Sequence, residues 1–192
     1  MTLRVPEATE ESVEAVRSRL SQLAARSAFP DRALSRANPA AIALAAPHDV
    51  YFLGLGAVAD GASLEAATLV GRRFLVLEGD TPIASAELAG DDGAGFQANE
   101  GPFVEATAAA IAQAEQDPEL AAGEYELRVL RIPALYLVAV WLKNEQGGSD
   151  VVIPLEPAPA PLEPWRKYIP AELLSTLAEP ARTRLQFDDA DE

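Results

Sequence analysis

The sequence predicts an α+β fold in which helices cover one face of an antiparallel sheet of about five or six strands. Residues 73–88 contain two extended apolar runs separated by Gly79 and Asp80, a pattern typical of a β-hairpin. Residues 124–155 contain three more apolar runs joined by short turns, as in an antiparallel meander. These two modules account for most of the predicted sheet.

An N-terminal and a central helix are predicted to pack on one face of this sheet. Residues 9–28 repeat apolar side chains at three- and four-residue steps, and Thr9 is the expected N-cap. The repeated positions are Val13, Val16, Leu20, Leu23 and Ala24. Residues 102–116 form the central helix, because Pro102 suits a first helical position and the alanines that follow suit close packing. A short helix is also expected within residues 31–37.

Composition divides the chain into two parts. Residues 1–153 read as a single α+β domain. Residues 154–192 read as a proline-rich extension, a short helix beginning at Pro170 and an acidic tail, which together wrap around the domain or trail from it. Leucines of the short helix are expected to face inward. They are Leu173, Leu174 and Leu177.

Charge and residue usage exclude several classes of function. The 192 residues include 30 acids, 15 bases, one histidine and no cysteine, so the formal net charge is −15. The lack of cysteine excludes disulfides and thiolate metal sites, and the acidic excess argues against nucleic acid as a partner. No apolar run is long enough to span a membrane, and the N-terminus is acidic where a signal peptide would be apolar. The expected protein is cytoplasmic.

The sequence favours a non-enzymatic role. It contains no convincing constellation of catalytic residues, and it predicts neither a cofactor nor a metal site. We therefore expect an acidic binding or accessory protein that acts through contacts with another protein, such as an inhibitor, an immunity-type protein or an assembly subunit. A strongly acidic surface attracts basic partners and speeds their association, so the expected partner is basic.

Two segments are candidates for the surface that meets this partner. The first is rich in arginine within an otherwise acidic chain and contributes Arg17, Arg26, Arg32 and Arg36. The second, residues 161–166, matches a proline-based recognition pattern and contributes Trp165 and Arg166.

Two alternatives remain open at this stage. Gly54 and Gly56 follow an apolar strand in a permissive dinucleotide-binding pattern, with Glu78 as an acid that suits a ribose. A nucleotide or small-molecule protein, or an enzyme with His48 as its base, would use this bend. The other alternative is a self-associating structural subunit, a homo-oligomer in which the exposed edge of the hairpin at residues 73–88 pairs with its own copy.

Overall fold

A computed structural model describes residues 1–26, 33–89 and 95–188. Within these residues the fold is α+β and comprises eight strands and five α-helices. The strands are β1 (Thr2–Arg4), β2 (Ile42–Phe52), β3 (Thr68–Glu78), β4 (Thr81–Ala89), β5 (Gly95–Asn99), β6 (Glu124–Ile132), β7 (Leu137–Asn144) and β8 (Val151–Pro154). The helices are α1 (Glu10–Arg26), α2 (Ala33–Arg36), α3 (Leu55–Ala59), α4 (Pro102–Gln116) and α5 (Pro170–Asp188).

All eight strands belong to one mixed sheet. Its order is β5-β4-β3-β2-β6-β7-β8, and β1 pairs with β6 beside this path. The predicted hairpin and meander are confirmed as β3-β4 and β6-β7-β8. The prediction of an antiparallel sheet is wrong at the centre, because β6 pairs in parallel with both β1 and β2. These parallel pairs join segments far apart in the chain, whereas hairpin signals are local.

A bend in β2 explains how β6 accommodates two parallel neighbours along one edge. Ala46 has a φ of 44°, and the register of β2 with β3 shifts between Ala45 and His48. Only the part of β2 after this bulge pairs with β6, at residues 128–131. Before it, β2 leaves β6, and β1 occupies that edge at residues 124–126. Bulges bend strands in this way.

The two predicted helices form, but they lie on opposite faces of the sheet. Phe74 and Val76 of β3 pack in one core cluster with Val16 and Leu20 of α1. Leu75 packs in a second cluster with α4. Successive strand residues point to opposite faces, so α1 and α4 cannot share one. The predicted one-sided arrangement is therefore wrong, and α4 has a face of the sheet separate from α1.

The N-terminal helix begins as predicted but does not bury its whole apolar repeat. The hydroxyl of Thr9 accepts a hydrogen bond from the Ser12 amide at 3.2 Å, which caps the helix. Val16 and Leu20 are buried, whereas Leu23 is exposed. Among the described side chains of the apolar repeat, Leu23 is therefore the one that the prediction wrongly placed in the buried stripe.

The C-terminal segment closes one edge of the sheet. Val152 of β8 and Tyr168 exchange backbone hydrogen bonds at 2.8 and 2.9 Å. Helix α5 begins at Pro170 as predicted, and its three leucines are buried against β6 and β7. The helix is longer than expected because it continues through Pro180 to Asp188. The segment between β8 and α5 contributes Leu155 and Leu162 to the core.

Candidate functional site

A groove crosses the face of the sheet that α4 covers, and we call it the α4-face groove. It consists of two adjoining pockets of about 360 and 550 Å³, sizes typical of ligand sites. Phe103, Arg131 and Val138 line both pockets, so the two lie side by side. The smaller pocket is the polar end of the groove, and the larger pocket is the apolar end.

Strand register brings the polar end together. Arg73 on β3 lies directly opposite Glu87 on β4, which in turn lies opposite Gln97 on β5. Directly paired residues point to the same face of a sheet, so these three side chains form a row. Arg131 reaches this row from β6. The lining of the polar end includes Arg73, Ser85, Gln97, Asn99, Glu100, Arg131 and the first turn of α4.

Two arginines share one buried carboxylate at this polar end. Arg131 donates from Nη1 and Nη2 to the two oxygens of Glu87 at 3.0 and 2.6 Å. Arg73 donates from Nε to Glu87 at 3.1 Å. The side chains of Arg73 and Glu87 are about 6% and 4% exposed. Burial lowers the pKa of the Arg73 guanidinium, while the charge and hydrogen bond of Glu87 oppose that shift. Arginine nevertheless stays protonated in proteins.

The apolar end is formed where β6 turns into β7 and where the C-terminal segment crosses nearby. Its lining includes Pro133, Leu135, Leu137, Pro157, Ala158 and Pro159. Tyr136 stands at this end with its side chain 77% exposed. Its backbone is left-handed, with a φ of 56°, which is uncommon for a residue other than glycine. An exposed aromatic residue held in such a conformation marks this end as a functional candidate.

His48 lies under the polar end and does not reach the surface. It is fully buried on β2, directly opposite Arg73. Nδ1 lies 2.7 Å from the carbonyl oxygen of Ala46, while Nε2 has no hydrogen-bond partner. Burial, with the charge of Arg73, lowers the pKa of His48 to about 3. The ring is therefore neutral at physiological pH and buried away from solvent, which argues against the alternative in which His48 is the base of an enzyme.

The residues of the dinucleotide alternative are not brought together. Gly54 precedes α3, a helix of five residues, and the strands on either side of it are antiparallel. Neither Gly54 nor Gly56 has a left-handed φ, and an added Cβ would meet no close contact at either. Glu78 pairs with Ile42 at the far end of β2, roughly 30 Å away at strand spacing. Its carboxylate accepts a hydrogen bond from the Asn38 amide.

The predicted partner-face residues fall into two separate regions. Arg17 on α1 and Arg36 on α2 are exposed beside β4. The side chain of Arg26 and all of Arg32 lie outside the described residues. Trp165 and Arg166 lie near β8, at the other edge of the sheet.

Arg166 is also engaged within the chain. It forms ion pairs with Glu163 and Glu172 at 3.3 and 2.7 Å and stacks on the Tyr168 ring. Trp165 is half-buried and donates from Nε1 to Glu156 at 3.4 Å. The structure therefore does not unite the two arginine-bearing segments into one surface.

The predicted hairpin edge is covered along most of its length. β3 pairs with β2 and β4, and β4 pairs with β3 and β5. Because β5 reaches only residues 85–89 of β4, the outer edge near the hairpin turn is unpaired within the described chain. Self-association through the hairpin is therefore restricted to this short tip.

Sequence reasoning missed the three charged residues that meet at the polar end of the groove, Arg73, Glu87 and Arg131. Tyr125, Leu127 and Val129 alternate along β6 and are all buried. Continuing that alternation places Arg131 on the same buried face, where a charged residue is unusual. The signal that could have identified this site is Arg131, a charged residue that continues the alternation of the buried side chains along β6.

Neither a metal site nor a membrane span is found in the parts of the chain that the structure describes. No three histidine, aspartate or glutamate side chains there are grouped so that they could hold a metal ion. No helix within those ranges has the length and apolar character needed to cross a membrane. Comparisons with protein-family models, with curated proteins and with solved structures found no match to this chain.

Proposed function

We propose that this protein is a non-catalytic binding protein that takes a segment of a partner protein into the α4-face groove. The observation that carries this proposal is the apolar end of the groove, which is open and presents Tyr136 at the surface. Exposed apolar surface of this kind is typical of interaction sites. Tyrosine is also enriched among the residues that dominate binding energy at protein interfaces.

The chemistry of the polar end supports binding rather than proton transfer. Its two guanidinium groups do not titrate near neutral pH. The Glu87 carboxylate accepts three hydrogen bonds and is almost fully buried, so it is poorly placed to move a proton to a ligand. Fixed cations beside an apolar pocket hold and orient a ligand.

The net charge of the chain supports a basic partner. A charge of −15 produces a negative field over most of the surface, and this field accelerates the approach of a positively charged protein. Contacts at the rim of such an interface affect the association rate more than the final affinity. We therefore expect association to slow roughly tenfold between ~50 and ~500 mM NaCl, because salt screens this field.

The experiment is site-specific photo-crosslinking in cells that produce the protein. A photoreactive phenylalanine analogue replaces Tyr136 in one variant and the exposed Leu23 of α1, on the other face, in a control variant. The proposal expects one partner polypeptide to crosslink at position 136 and not at position 23. Crosslinking of the same polypeptides at both positions would contradict it.

A matched pair of substitutions tests the groove itself. Ala158→Trp places a large side chain among the apolar lining, whereas Ala160→Trp adds the same side chain at an exposed position of the same segment. We expect Ala158→Trp to abolish crosslinking at position 136 and Ala160→Trp to preserve it. Circular dichroism verifies that both variants fold. Equal crosslinking in the two variants would exclude the groove as the docking site.

A further inference from the structure

The two ends of the α4-face groove lie side by side but suit different chemical groups of a ligand, a polar group at one end and an apolar group at the other. Arg131 lines both pockets, so a ligand in contact with this residue lies beside the polar end and the apolar end together. A ligand that fills the groove therefore carries a polar or charged group directly beside an apolar one. The sign of that charge follows from the groups that line the polar end.

The guanidinium groups at the polar end outnumber their carboxylate partner. Arg73 and Arg131 together have more N–H donors than the Glu87 carboxylate can accept, and both side chains line the pocket. Guanidinium groups bind carboxylates through paired, charge-assisted hydrogen bonds, as Arg131 already does with Glu87. A second carboxylate would therefore find suitable donors in this pocket.

Within the described parts of the chain, the other polar groups that line the pocket form no hydrogen bond or ion pair with the two guanidinium groups. Gln97 and Asn99 are neutral. Glu100 is acidic, but its two carboxylate oxygens accept hydrogen bonds from the amides of Ala33 and Leu34 at 2.9 and 3.3 Å. That carboxylate serves the start of α2. Glu100 keeps its negative charge, so the carboxylates of Glu87 and Glu100 formally balance the two arginines. Among the described residues, however, Glu100 forms no ion pair with Arg73 or Arg131, and the two guanidinium groups share Glu87 alone.

We propose that the polar end binds the C-terminal carboxylate of a partner polypeptide and that the apolar end receives its last side chain, a large apolar one. This inference rests on the proposed function, because it names the segment that enters the groove. A chain terminus places a carboxylate and a side chain on the same residue, which matches the adjacency of the two pockets at Arg131. Capture of terminal carboxylates is an established mode of peptide recognition.

Synthetic peptides test the inference directly. The probes are dye-labelled hexapeptides of glycine and serine that end in leucine or phenylalanine, each made as the free acid and as the amide. Fluorescence polarisation with the full chain measures their affinities. We expect the free acids to bind at least about tenfold more tightly than the amides, because the amide loses the charge-assisted bonds. Acids and amides of equal affinity would overturn the proposal, as would no binding of any peptide at millimolar concentration.

Two arginine variants assign the effect to the groove. Arg131→Gln is expected to remove the preference for the acid, and Arg131→Lys to restore part of it. Arg128→Gln is the matched control, since Arg128 lies on the same strand but pairs with Glu126 and two aromatic rings on the opposite face. Thermal unfolding verifies that each variant is folded. An acid preference that survives Arg131→Gln would refute the assignment.

Further arms separate this inference from the proposed function. Crosslinking at position 136 that is blocked by Ala158→Trp, together with equal affinity for acid and amide peptides, would leave the function standing and remove the terminal carboxylate. Decanoate and decanol serve as small-molecule probes in calorimetry. Binding of decanoate without any peptide would indicate a pocket for a small apolar acid and would overturn both proposals.

Discussion

Arg128 and Arg131 lie three residues apart on β6, yet their side chains have different surroundings on opposite faces of the sheet. The guanidinium of Arg128 lies 4.7 and 4.9 Å from the ring centroids of Tyr51 and Trp141, and it binds both oxygens of Glu126 at 2.8 and 3.2 Å. Arg131 faces the other side of the sheet, where it shares the Glu87 carboxylate with a second cation and lines a groove. Among the residues that the structure describes, Arg128 has a carboxylate of its own, whereas Arg131 shares one with Arg73.

This difference teaches where to search a sheet for a binding site. Arg128 has a carboxylate of its own and two aromatic faces, so its environment accounts for it as a structural residue. On the other face, Arg73 and Arg131 share the carboxylate of Glu87, and both arginines line a cavity. This shared carboxylate beside a cavity is the feature on which the proposed terminal-carboxylate site rests. The three predictions below test this contrast.

The largest expected effect comes from removing the shared carboxylate. Glu87→Gln leaves Arg73 buried with no anion beside it, and breaking a buried ion pair in this way costs about 3–5 kcal/mol of unfolding free energy. Glu126→Gln, the matched change beside Arg128, should cost only about 1 kcal/mol, because Arg128 is partly exposed and keeps its aromatic contacts. Urea unfolding measures both. Similar losses in the two variants would contradict the contrast.

The second prediction concerns the stability of the protein at low pH. His48, the only histidine of the chain, lies directly opposite Arg73 on the face of the sheet that carries the groove. Burial lowers the pKa of His48 from 6.5 to about 3, so between these values the unfolded chain binds a proton that the folded protein does not. Stability from this group is therefore present above pH 6.5 and is lost as the pH falls towards 3. Between pH 7 and pH 5 the loss should be about 2 kcal/mol, at about 1.4 kcal/mol for each pKa unit.

A variant without the titrating ring isolates this contribution. His48→Gln should show a smaller fall in unfolding free energy over the same interval, by about 2 kcal/mol, whatever its stability at pH 7. Urea unfolding at half-unit steps of pH provides the comparison. Parallel pH profiles for the two proteins would show that His48 does not control the acid sensitivity of the groove side.

The smallest expected effect on stability is at the apolar end of the groove. Tyr136 is largely exposed and its backbone is left-handed, so little burial is lost on replacing it. Asparagine tolerates that conformation better than alanine does, and Tyr136→Asn should therefore be more stable than Tyr136→Ala by about 1 kcal/mol. Thermal unfolding compares them. Identical stability would mean that the backbone at position 136 is not strained.

Local elements could be predicted from the sequence, whereas long-range pairing could not. The β3-β4 hairpin, the β6-β7-β8 meander and the start of α5 follow from nearby turn and apolar signals. The parallel pairing of β2 with β6 joins residues 49–52 to residues 128–131, and no local pattern records it. β2 also continues through Pro47, a residue that is rare inside strands and that lies here at the register shift between Ala45 and His48.

The groove could not be predicted from the sequence for a related reason. Arg73, Glu87 and Arg131 come from three strands, and only the register of the sheet brings them together. The glycines at positions 54 and 56 were conspicuous in the sequence, yet neither is required by its backbone conformation or its neighbours. The glycine motif at positions 54 and 56 was therefore a poorer guide to the candidate site than Arg131, a charged residue that continues the buried alternation of β6.

The position of β6 at the centre of the sheet also determines when the protein can fold during synthesis. β1 pairs with β6, so residues 2–4 wait for residues 124–126, and one edge of the second half of β2 waits for β6 as well. At ribosomal speed that delay is on the order of ten seconds. In that interval the antiparallel pairs of β2, β3, β4 and β5 are the part of the sheet that local contacts can build. A nascent chain halted before residue 124 would therefore carry an unpartnered β1 and a half-paired β2, which exposes it to aggregation and proteolysis.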